Sequence, residues 1–221
     1  MCGRFLQARA AQKAAKLFNL PLPWDIRPNY NLAPSLPVTA IRVVHAMREW
    51  SLLRWGLVPH WAKEVKTAYK MINAKAETVA EKPAYRAAFR YRRCVIPADG
   101  FYEWQTRADG KQPYLIRLAD ESPMLFAGLW ESWEHDGSSL ETCAIITTAA
   151  SPQMGHVHDR MPVVLAPEAC QIWLDDTYQD RAHLQALLVP TTQALTTYPV
   201  DRRVNKPANN DEACMTPLAE P

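Results

Sequence analysis

The sequence predicts an α+β protein built on an antiparallel or mixed sheet, and three observations carry that reading. Short runs rich in β-branched and aromatic residues recur along the chain, helical patterns are few and brief, and regular strand–helix alternation is missing. Residues 8–18, ending in Ala14-Ala15-Lys16-Leu17-Phe18, place apolar side chains every three or four positions among good helix formers and predict a helix. Pro21, Pro23 and Pro28 then break the chain. Residues 39–45, with Ile41-Arg42-Val43-Val44, predict a strand, residues 50–55 its neighbour, and residues 47–49 lie near the turn between them. Residues 77–89 predict a helix in which Pro83 can mark the first turn. Strands return at Cys94-Val95-Ile96, residues 101–105, 114–118, 124–130 and 142–148, and Val163-Val164-Leu165, with Asp99-Gly100 and Asp109-Gly110 as turns. Pro167–Leu174 and residues 180–188 predict two more helical pieces, the second closed by Pro190.

A chain of 221 residues can bury a substantial core, and no Gly/Ser linker or low-complexity run divides it, so a single domain is expected. With 48% apolar and 22% charged residues, the composition is that of a soluble protein. The start, Met1-Cys2-Gly3-Arg4-Phe5, lacks the basic region and apolar run of a secretory signal, and no run of about 18 apolar residues is present to cross a bilayer. The five cysteines, Cys2, Cys94, Cys143, Cys170 and Cys214, are odd in number and widely spaced, with no CxxC and no clustered histidines. That pattern argues against structural zinc, and neither a metal nor another cofactor is expected. Cys94, Cys143 and Cys170, each flanked by apolar residues, read as buried thiols in a reducing compartment.

The formal net charge of +2 conceals an asymmetry. Residues 1–110 carry 18 Lys and Arg against 8 Asp and Glu, whereas residues 111–221 carry 7 against 15. A basic surface for a polyanion is compatible with that separation, reinforced by Arg90-Tyr91-Arg92-Arg93 and Arg202-Arg203. Trp50, Trp55, Trp61 and Trp104 can act as stacking platforms for bases or as ordinary core.

Cys2 has chemistry that the other cysteines lack. Removal of Met1 would leave it with an α-amine beside its thiol, groups that titrate near about 7.7–8.0 and 8.5. An aldehyde is the electrophile best suited to that pair. Glu103 interrupts the aromatic run Phe101-Tyr102-Glu103-Trp104; its carboxylate either faces solvent or sits in a cleft with a shifted pKa. Asn73 follows Met71-Ile72 and reads as a turn or cap amide, or as a site residue. The polar run His156-Val157-His158-Asp159-Arg160 offers two histidines at i and i+2 without an evident third metal ligand, which favours acid/base work over metal binding.

Together these blocks resemble the SRAP family, SOS-response-associated peptidase-like proteins that process abasic sites. The resemblance runs through Met1-Cys2-Gly3-Arg4-Phe5, Tyr30-Asn31-Leu32-Ala33-Pro34, Arg54-Trp55-Gly56-Leu57-Val58-Pro59 and Ile72-Asn73-Ala74-Lys75-Ala76-Glu77-Thr78. It continues through Cys94-Val95-Ile96-Pro97-Ala98-Asp99-Gly100-Phe101-Tyr102-Glu103-Trp104 and His158-Asp159-Arg160-Met161-Pro162 to Arg202-Arg203-Val204-Asn205. It implies one domain over residues 1–221 with a mainly antiparallel, curved or barrel-like β core, peripheral helices and a poorly ordered tail from about residue 208. It also implies a monomeric, cytoplasmic bacterial protein that associates with the nucleoid when bound to DNA and has no membrane partner.

By the same resemblance the partner is single-stranded DNA containing an abasic site, and the site residues are Cys2, Asn73, Glu103 and His158. Cys2 would close a thiazolidine on the ring-opened sugar aldehyde, with Glu103 and His158 moving protons and Asn73 holding backbone or sugar. A lyase side reaction and reversal of the crosslink belong to the same chemistry. Arg4, Trp55, Lys75, Trp104 and Arg160 are the implied DNA contacts, with Trp55 equally readable as core. Lys75 stands where the family commonly has arginine, keeping the charge but losing the bidentate fork. Three other readings stay open: a thiol peptidase limited to self-processing, a non-covalent single-strand binding module, and a domain whose Cys2 is inert.

Overall fold

The computed structural model describes residues 2–22 and 25–218. Its strands are β1 (Phe5–Gln7), β2 (Asn29–Leu32), β3 (Pro37–Val44), β4 (Met47–Trp55), β5 (Asn73–Lys75), β6 (Arg93–Ala98) and β7 (Gly100–Arg107). They continue as β8 (Gly110–Leu118), β9 (Met124–His135), β10 (Ser138–Ala149), β11 (Arg160–Pro162), β12 (Val164–Leu165) and β13 (Leu195–Pro199). The helices are α1 (Ala10–Phe18), α2 (Arg86–Tyr91), α3 (Pro167–Leu174) and α4 (Arg181–Ala186).

The fold is α+β, with a barrel-like core and peripheral helices. Strands β10, β4, β3, β6 and β9 pair in that order, and β9 pairs back onto β10, closing a ring. Every pairing in the ring is antiparallel except β4 with β10, which run parallel at Arg54↔Thr142 and Trp55↔Cys143. The short strands β5 and β11 extend the barrel along β10, and β12 extends it along β9. A second sheet, in the order β13-β8-β7-β1-β2, is antiparallel throughout. Phe5 and Phe101, on β1 and β7, bury their rings edge-on against Trp55 and Phe126, so one apolar cluster joins sheet to barrel.

The chain changes from barrel to sheet at Asp99, between β6 and β7. The expected Asp99-Gly100 turn is therefore a corner. The Asp99 N–H donates to Leu6 O at 2.9 Å, and its Oδ2 accepts from the N–H groups of Ala8, Arg9 and Ala10 at 2.7, 2.9 and 3.0 Å. Those bonds satisfy amides at the start of α1, for which Arg9 at the cap position makes no side-chain bond. Gly100 is required by packing, since a Cβ there would lie 2.7 Å from Ile116 O.

The β3–β4 reversal falls at His45-Ala46, both at positive φ, directly before residues 47–49, which already pair as the start of β4. Asp136-Gly137 forms the matching two-residue hairpin between β9 and β10, which run well beyond residues 130 and 142. The helix expected over 77–89 is confined to Arg86–Tyr91, because Pro83 has no N–H and residues 78–82 close separate turns. The tail expected to loosen near residue 208 packs as far as Leu218: Cys214 is buried, Val200 bridges to Pro217, and Leu218 N–H donates to Pro199 O. Residues 219–221 lie outside the described residues. No helix among the described residues is long and apolar enough to cross a membrane.

Candidate active site

Two strands of the five-stranded sheet and two edges of the barrel supply the site. Cys2 precedes β1 and is fully buried, in the apolar cluster that also holds Phe5, Trp55 and Met161. Burial pushes its thiol well above the ordinary range, a shift reinforced by the charge of the nearby Glu103 carboxylate. This thiol is protonated at neutral pH.

Glu103 lies on β7, the strand that pairs with β1. It is only 3% exposed, and burial raises its carboxyl pKa to about 7. The cleft alternative for Glu103 is the one observed. A carboxyl group at that value gives and receives protons with little penalty near neutrality.

Asn73 opens β5, where it pairs with Ile145 of β10. Its Nδ2 donates to the Cys2 carbonyl at 2.8 Å, tying the barrel edge to the start of the chain. Its Oδ1 is buried and has no hydrogen-bond partner among the described residues. The Tyr85 hydroxyl donates to Asn73 O at 3.1 Å and fixes this short strand from behind. Tyr85 carries no local sequence signal for that role, because it acts on a backbone atom 12 residues away.

His158 stands in the loop between β10 and β11, with Nε2 3.9 Å from Glu103 Oε2. Burial lowers its pKa, so the ring is neutral at pH 7. Two contacts meet at His158 Nδ1: the Arg160 N–H donates to it at 3.0 Å, which suits a ring proton on Nε2, on the Glu103 side, and the Asp159 carboxylate approaches it, which suits a proton on Nδ1. The Asp159 carboxylate, 2.8 Å from the same Nδ1, can receive that nitrogen's proton when the ring is charged.

All four residues expected at the site thus converge on one place, linked by Asn73 to Cys2, Cys2 to Glu103 and Glu103 to His158. Among the described residues no cluster of His, Cys, Asp and Glu is placed to hold a metal.

A family model described as SOS response associated peptidase (SRAP) matches residues 1–207. The chain belongs to the SRAP family. It is 43% identical over 217 residues to "Abasic site processing protein YoaM" of Bacillus subtilis, covering 95% of each chain. It is also 34% identical to "Abasic site processing protein HMCES" of Xenopus tropicalis, over 87% of this chain and 67% of that one. Among solved structures, a Bacteroides thetaiotaomicron protein superposes with a TM-score of 0.89 at 25% identity, covering 99% of this chain and all of that one.

The side chains that the SRAP resemblance assigns to DNA are placed unequally. Trp55 cannot stack on a base: it is wholly buried, its indole donates to Ile72 O at 2.9 Å, and it packs 5.0 Å from the Phe5 ring. Arg4 is half-buried, with Nη1 donating to Asn31 Oδ1 and Val204 O at 2.7 and 2.6 Å and its guanidinium 5.9 Å from the Trp104 ring centre. Trp104 is half-buried and donates to Asn205 Oδ1. Arg160 forms a bidentate bridge with Glu77 at 2.6 and 3.0 Å and also reaches Thr147 O. Lys75 is exposed. Of the four tryptophans that could stack, Trp61 is the most exposed, at 60%.

Proposed function

We propose that this protein bonds covalently to the ring-opened aldehyde of an abasic site in single-stranded DNA, through the amine and thiol of Cys2. The observation that carries the reading is Glu103, buried beside Cys2 with a pKa raised to about 7. The relatives named as abasic site processing proteins supply the substrate class.

The mechanism requires removal of Met1, a residue outside the described set. The freed Cys2 amine adds to the C1′ aldehyde to give a carbinolamine, and loss of water leaves an imine. The Cys2 sulfur then adds to the same carbon, and the thiol proton passes to the imine nitrogen by way of Glu103. Amine, thiol and aldehyde become a five-membered thiazolidine plus one water. Because burial holds the thiol protonated, closure needs a local base, and a carboxylate near pH 7 fills that need.

Asn73 holds the Cys2 carbonyl, and its buried Oδ1 offers an acceptor to a sugar hydroxyl. In the tautomer with its proton on Nε2, or when charged, His158 donates to the sugar oxygen, favouring the open-chain aldehyde over the closed hemiacetal. If the imine survives long enough to lose its 2′ proton, β-elimination breaks the 3′ phosphate ester, so strand cleavage competes with closure. Lys75, Trp61 and Trp104 offer charge and aromatic surface to the strand. The protein would work in the cytoplasm, on DNA.

A thiol peptidase would need a thiolate, whereas burial favours the protonated form of Cys2. The direct test incubates Met1-processed protein with a single-stranded oligonucleotide carrying one abasic site and measures intact mass. The expected product is one water lighter than the sum of its parts; its absence would reject the reading.

A further inference from the structure

We propose that Gln105 is a positioning residue that docks the His158 loop onto β7 and so sets the spacing of His158 from Glu103. Gln105 lies two residues beyond Glu103 and therefore on the same face of the strand. Its Nε2 donates to His156 O at 2.9 Å, two residues before His158. Its Oε1 accepts from Arg107 Nε at 2.7 Å and from the Tyr114 hydroxyl at 3.4 Å, which turns the donor end of the amide toward the loop. Arg107 in turn lies over the Tyr114 ring, and Tyr114 meets the His156 ring edge-on at 6.3 Å.

The fold makes such a clasp necessary. Glu103 belongs to the five-stranded sheet, while the loop carrying His158 leaves and rejoins the barrel, its neck closed by Ala150 N–H to Asp159 O at 2.9 Å. A second glutamine works in the same direction. Gln153 donates to Gln193 O at 3.0 Å and accepts from Leu195 N–H at 2.8 Å, fastening the early part of the loop to β13. Gln105 is the clasp nearer to His158, and the Glu103–His158 separation of 3.9 Å is short enough for a small movement to decide whether a proton passes.

Releasing the loop admits water to both side chains. Burial is the leading cause that raises the Glu103 pKa and lowers that of His158, so hydration moves Glu103 down and His158 up, each toward its ordinary value. Among the described residues, the charged groups facing His158 are Glu103 from β7, Lys111 from β8 and Asp159 from its own segment.

The rate arm of the test rests on the crosslinking reading above; the titration arm does not. Wild type, Gln105→Ala and Gln105→Met are compared as full, processed chains, the second variant keeping the side chain's length but losing the donor without adding charge. NMR titration follows the His158 imidazole, and adduct formation with abasic-site oligonucleotide is timed across pH. Both variants should titrate His158 at higher pH than wild type. They should also form adduct about tenfold more slowly at pH 7, with the inflection moved to lower pH. An unchanged His158 titration overturns the inference, whether or not the rate falls uniformly across pH. A wild type that forms no adduct would instead sink the functional reading, leaving the titration to decide the role of Gln105.

Discussion

Glu103 combines two properties that conflict in an ordinary core: it is ionisable, and it is almost wholly excluded from water. Its pKa, raised by burial to about 7, means that the folded protein binds a proton here between about pH 4.5 and 7 that the unfolded chain has released. The folded state is therefore progressively penalised as pH rises through that window. Glu103→Gln should leave stability nearly unchanged at pH 4 and raise it by about 3 kcal/mol at pH 8, measured by denaturant unfolding. An equal effect at both values would mean that Glu103 is not held as described. The same variant should slow adduct formation about 100- to 10,000-fold, because it cannot move protons. Asn73→Ala removes the clamp on the Cys2 carbonyl, and its adduct rate should fall about tenfold or more. In the sequence Glu103 stands out as a carboxylate inside an aromatic strand, but the residues that surround it, Cys2 and His158, come from distant parts of the chain.

Asp99 shows what was hidden at the level of elements. Asp-Gly reads locally as a hairpin turn, yet here the aspartate marks a change of sheet and caps a helix some 90 residues earlier in the chain. Asp99→Ala loses three accepted N–H bonds at the start of α1 and should cost about 1–2 kcal/mol in denaturant melts, with no change in the His158 titration. A neutral substitution would show that the corner is held by other means. Sequence signals located α1 and α3 well: apolar residues recur at helical spacing in α1, and Pro167 marks the first turn of α3. Propensity overextended the helix before α2, where Pro83 breaks the hydrogen-bond ladder, and it missed β1, β2, β5, β11 and β13, each 3–5 residues long and paired with other segments of the chain. The His45-Ala46 reversal carries no glycine to announce it, whereas Asp136-Gly137 does.

Across the whole molecule, closure of the barrel depends on β4 meeting β10, strands whose paired residues Arg54 and Thr142 lie far apart in the sequence. No periodicity records such a contact. Family resemblance implies the curved core, and the four candidate site residues, which the fold brings near one another, sit within its motifs. Trp55 was ambiguous because aromatic residues serve cores and bases alike. The basic and acidic halves of the sequence interleave in the fold, β7 with β8 and β4 with β10, so the charge asymmetry does not split the molecule into two lobes. Strand binding should still weaken with salt, and Lys75→Ala should flatten the slope of log K against log salt by about 0.7. An unchanged slope would remove Lys75 from the contact surface. The central claim, that Cys2 contributes both its amine and its thiol, is tested most directly with Cys2→Ala after Met1 removal. Mixed with abasic-site DNA, this variant should yield an adduct only when borohydride traps the imine, while wild type forms a durable adduct without reductant. A Cys2→Ala adduct as durable as that of wild type without borohydride would contradict the account.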